Sequence, residues 1–118
     1  MSVTALLNKI ETTPELVEFD EVMAVIDEHY HFTPAGFANG LGDERVVNAA
    51  GSNEGSCKIF AFARLHQLSS AQTLACFGRY YRDDVLNHPQ GSDHANIRAF
   101  MNHGWAGIEF DRSPLTPR

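Results

Sequence analysis

The sequence predicts a mainly α (α+β) domain in which four or five helices enclose a central buried helix, with a small β-hairpin beside them. Three observations carry that reading. Apolar residues recur at steps of three and four along most of the chain, as one face of a helix requires. The run Cys57-Lys58-Ile59-Phe60-Ala61-Phe62-Ala63-Arg64-Leu65 is apolar around most of its circumference, which is the pattern of a helix wrapped by others. The two clearest glycine-rich loops, 36–42 and 51–56, flank a short β-branched stretch.

Taken in order, Ala5, Leu6, Leu7 and Ile10 mark a first short helix. Thr12 or Thr13 with Pro14 interrupts it and opens a second, because proline suits a first helical position. Leu16, Phe19, Met23, Ile26 and Tyr30 form the apolar stripe of that second helix, and Glu15, Glu18, Glu21 and Glu28 lie elsewhere on its circumference. Around His29 the pattern fails. Residues 29–34 read as extended, since Pro34 pushes its predecessor out of the helical region, and Arg45–Ala49 can return as the partner strand of a hairpin spanning 30–49. The central helix is predicted over 56–68. Ser69-Ser70-Ala71-Gln72 is a capping box opening the next helix, with Leu74, Phe77, Gly78, Tyr81 and Val85 on its buried face and an end before Pro89. Asp93 then caps a last helix carrying Ile97, Phe100 and Met101, which Gly104 terminates, and Trp105, Ile108 and Phe110 pack back. Residues 1–110 read as one domain and 111–118 as a flexible tail, given two prolines and no periodicity.

At 118 residues the chain can close one hydrophobic core and not two. No stretch approaches the roughly 20 apolar residues that cross a bilayer, and the N-terminus shows no cleaved secretory signal, so a cytosolic protein without membrane contact is expected. Cys57 and Cys76 lie in apolar helical patterns, which suits reduced core thiols. The net charge of -6 argues against nucleic-acid binding. It is unevenly spread: residues 1–54 hold ten acidic against two basic side chains, and residues 55–118 hold five against seven.

Chemistry is best sought at the 51–58 loop, where glycines, polar side chains and Lys58 converge on a helix N-terminus. Asn53, Ser56 and Lys58 are the candidate ligand-binding residues there, since free amides, the helix dipole and an ammonium favour an anion. The spacing is not that of a Walker loop. Capping and turn chemistry alone also explain these residue types. Cys57, one step further in, is a candidate nucleophile with His66 or His94 as base, although a buried cysteine acting as a small hydrophobe is the commoner outcome. His29 and His31 would share one strand face, the minimum for two metal ligands, with Asp27 nearby, and two ligands do not make a site. The expectation is therefore no metal centre and no cofactor.

The segments TPELVEF, VMAVIDEHYHFTPAGFANG, NAAGSNEGSCKIFAFARLHQLSSAQTLACFGRYY, HPQGSDHANIRAFM and GWAGIEF together resemble the HopJ type III effector family over about residues 5 to 110. That resemblance implies a bacterial protein delivered into a host cell, and it assigns no catalytic residues. The leading expectation is a small non-catalytic interaction protein acting on a host or cytosolic partner. The competing one is a ligand-binding or enzymatic domain using Ser56, Cys57, Lys58, His66 and His94. They divide on whether the 51–58 loop and the 88–94 turn meet in a concave pocket.

Overall fold

The computed structural model describes all 118 residues. At its centre lies the helix α3, whose Cys57, Ile59, Phe60, Ala61, Phe62 and Ala63 are buried, interrupted only by the half-buried Lys58. The consecutive buried residues from Ile59 to Ala63 span more than one turn, so neighbours cover the helix on every side there. Phe60 is the hub, with ring centroids 5.0 to 6.5 Å from those of Phe100, Phe77, Phe37 and Trp105. The helix runs Glu54–Leu65, beginning two residues earlier and ending three earlier than its sequence suggests. Gln67 at φ 54 turns the chain away.

Before α3 come α1 (Val3–Thr12), capped by Ser2, and α2 (Phe19–His29). Pro14 does not open α2 but a 3-10 turn, Pro14–Leu16, which leaves Leu16 exposed. The start of α2 is fixed instead by a capping box, with Glu18 N donating to Glu21 Oε2 at 2.7 Å, and by Lys9 reaching the same carboxylate at 2.8 Å. Its buried face is accordingly Val22, Val25 and Ile26, with Phe19 and Met23 at the margin.

The strands are β1 (Tyr30–Phe32), β2 (Phe37–Asn39), β3 (Val46–Asn48), β4 (Glu109–Phe110) and β5 (Leu115–Pro117). In the antiparallel order β3-β2-β4, the predicted hairpin survives as β2–β3 only. Residues 30–32 do not belong to it: β1 pairs antiparallel with β5, Tyr30 opposite Pro117 and Phe32 opposite Leu115. The C-terminal segment expected to be flexible is therefore anchored. Leu115 is buried, Thr33 N donates to Pro114 O at 2.7 Å, and Arg118 N donates to His29 O at 3.0 Å. A three-residue strand needs no periodicity, and its prolines are tolerated at a sheet edge.

The Ser69–Gln72 capping box opens α4 as expected, but α4 spans only Ser70–Ala75. The chain breaks at Gly78, φ +59, where a Cβ would stand 2.7 Å from the backbone nitrogen of Phe19. It resumes as a π-helical turn, Tyr80–Val85. The last helix, α5 (Ala95–His103), ends at Gly104. Met101 is exposed rather than part of its buried stripe. Trp105 folds back and donates to Leu68 O at 3.0 Å. No helix is long and apolar enough to cross a membrane.

Candidate functional site

Helices α3 and α5 begin at the same cleft. Asn53 and His94 are the N-cap residues of α3 and α5, both non-glycine residues at φ 51 in the left-handed region. An N-cap side chain ordinarily accepts a hydrogen bond from the first turn; neither does so here. Asn53 Nδ2 instead donates to Asn48 Oδ1 at 2.7 Å, and His94 Nε2 pairs with Asp84 Oδ2 at 3.0 Å. The first-turn amides of both helices are thus left without a side-chain acceptor, and each helix dipole presents its positive end.

Between these two starts lies a cleft of about 410 Å³. Asn53, Gly55 and Ser56 of α3 line it on one side, and His94, Asn96 and Ile97 of α5 on another. An aromatic wall closes it. Phe19 meets Tyr80 edge-to-face at 5.1 Å, Tyr80 lies 5.5 Å from the His94 ring, and Phe77 completes the lining. Gly55 permits this, since a Cβ there would stand 2.9 Å from Phe19 Cζ. The π-helical turn has a role too: Tyr80 and Asp84, four residues apart, both engage His94, one by ring contact and one by hydrogen bond. Such turns recur at functional sites.

A buried amide network braces the cleft from behind. Asn48 Oδ1 accepts from Asn96 Nδ2 at 2.9 Å as well as from Asn53, while Asn48 Nδ2 donates to Asn96 Oδ1 at 3.1 Å. Asn39 Nδ2 donates to Asn96 O at 2.7 Å, and its Oδ1 is buried without a partner. Four asparagines thereby tie β2 and β3 to the starts of α3 and α5. Sequence reading missed Asn39, Asn48 and Asn96: Asn39 stands beside Gly40 and reads as turn chemistry, and Asn48 and Asn96 read as members of a short strand and of the last helix.

Of the residues singled out by sequence, Asn53, Ser56 and His94 meet in the cleft. Cys57 does not. Its thiol is buried and points to Ala35 O at 3.9 Å, and burial pushes its pKa up to about 11. Lys58 pairs with Asp27 at 2.9 Å and sits 5.0 Å over the Phe32 ring, so its charge is spent between α3, α2 and β1. His66 caps the far end of α3, bonded to the Tyr30 hydroxyl at 2.6 Å. Burial raises the Tyr30 pKa and lowers that of His66. Asp93, expected as a cap, is held by Arg98 at 2.6 Å, a hydrogen bond that lowers its pKa. His29 ends α2 rather than lying on the strand with His31, and no three His, Cys, Asp or Glu side chains gather as metal ligands. The Cys-His constellation is therefore dispersed over both ends of α3.

No curated protein matches the chain. The crystal structure of the unknown function protein VPA0580 is similar over 100% of this chain and 95% of its own, at 51% identity and a TM-score of 0.95. The family model described as HopJ type III effector protein matches residues 3–115, nearly the whole chain, and the protein belongs to that family.

Proposed function

We propose that this member of the HopJ effector family is a small non-catalytic binding protein that takes a carboxylate or phosphate group in the cleft between α3 and α5. The group belongs to a host or cytosolic partner, and type III secretion is the proposed route to a host. One observation carries the reading: Asn53, Ser56 and His94, from two helix starts far apart in sequence, share one cleft of about 410 Å³. Two uncapped first turns supply amide donors. His94, held by Asp84 through Nε2, adds a polar ring edge, and Phe19, Phe77 and Tyr80 offer apolar surface to the body of the ligand.

Catalysis is not part of the proposal, because a buried thiol with a pKa pushed up to about 11 is a poor nucleophile and Lys58 is engaged elsewhere. Titrating isotope-labelled protein with inorganic phosphate and with acetate tests it. Amide shifts should concentrate at 53–56 and 94–97, and His94→Ala should weaken the response about tenfold, the loss of one hydrogen-bonding side chain from the cleft. Unmoved amides at these positions with both anions would reject the cleft as the binding site.

A further inference from the structure

A second cavity of about 410 Å³ opens at the other half of α3, where that helix faces the loop between β4 and β5. Its floor is apolar, built from Ala61, Phe110 and Leu115. Arg64 and Arg112 stand at its rim. Arg64 lies over the Phe110 ring at 5.8 Å and takes part in none of the ion pairs that engage Lys9, Arg45, Lys58, Arg82, Arg98 and Arg112. A guanidinium placed over a ring and free of ion pairs keeps N–H donors available for a carboxylate. Arg112 has only its neighbour Asp111, at 3.4 Å, and both side chains are more than half exposed. A pair that open to solvent is worth little and exchanges readily.

We propose that this groove docks an acidic peptide segment of a partner protein, with one apolar side chain on the floor and flanking carboxylates on Arg64 and Arg112. Charge selects the partner's sign: in a chain of net charge -6, this rim carries two guanidiniums and one carboxylate, itself already beside Arg112. Openness selects a polypeptide. Small ligands are typically buried on most of their surface, whereas this groove has Leu65 50% exposed on its wall. The groove shares no residue with the α3/α5 cleft, so the two assignments stand or fall separately.

The test uses the full chain, isotope-labelled, and a synthetic peptide in which a Leu-Phe pair is flanked by glutamates. Amide shifts should fall at 61–65 and 110–115, and added salt should weaken them. The double variant R64E/R112E, both exposed positions, should lose about tenfold or more in affinity and gain affinity for the same peptide with lysines in place of glutamates. His94→Ala should leave both results unchanged. Shifts elsewhere, equal binding of the glutamate peptide by the double variant, or binding of octanoate in place of the peptide would overturn the proposal.

Discussion

Adjacent residues at the start of α3 illustrate why side-chain roles were only partly legible. Ser56, Cys57 and Lys58 are neighbours in sequence, and together they suggest one reactive cluster. A helix turns about 100° per residue, so they diverge: Ser56 lines the cleft, Cys57 points to Ala35 O, and Lys58 reaches Asp27. Cys76 is buried as well, and burial pushes its pKa up to about 12. Neither thiol should react with iodoacetamide at about pH 8 in the folded protein, and both should react once urea unfolds it. The same burial makes the fold alkali-sensitive. The unfolded chain releases these protons near the ordinary value of 9.0, whereas the folded chain holds them to about 11 and 12. Over that window the unfolded state binds fewer protons, so stability falls as pH rises. Urea midpoints taken from about pH 8 upward should decline from about pH 9, and Cys57→Ala should flatten the decline. A flat profile in the parent protein would show that the thiols are not shielded.

At the level of elements, several local signals were read correctly, Pro14 as the start of α2 and Asp93 as the cap of α5 were not, and what depends on tertiary contact was not read. The Ser69–Gln72 capping box, the Gly104 stop and the burial of α3 from Ile59 to Ala63 follow from residues within a few positions of one another. The break after α4 does not. Gly78 lies within an otherwise continuous apolar stripe, and only the packing of α2 against it explains the glycine. Its left-handed φ and the 2.7 Å that would separate a Cβ from Phe19 N make it a place where two backbones meet. That meeting sets Phe19 against Tyr80 and so builds one wall of the cleft. Gly78→Ala should destabilise the fold on the order of 2–3 kcal/mol, combining left-handed strain with overpacking. Urea unfolding measures the loss, and phosphate titration of the variant should show smaller shifts at 94–97. A cost no larger than that of a glycine at an open turn, such as Gly51→Ala, would mean that Phe19 yields freely.

For the molecule as a whole, the decisive contacts join segments that sequence treats as unrelated. The cleft needs both helix starts, the asparagine network and the π-helical turn at once, which no local pattern announces. The C-terminus makes the same point for stability, because the first strand after α2 has β5 as its sole partner. Removing residues 112–118 would strip three paired positions from β1 and uncover the core around Leu115. Burial of that leucine alone contributes about 2–3 kcal/mol, and the ladder and the Thr33 and Arg118 hydrogen bonds add to it. The total approaches a sizeable share of the roughly 5–15 kcal/mol by which a domain is stable. The shortened chain should therefore unfold at a clearly lower urea concentration, and its bared β1 edge should promote self-association visible by size-exclusion chromatography. An unchanged midpoint with a monomeric elution would mean that β5 lies on the fold without supporting it, and that β1 holds its shape through α2 alone.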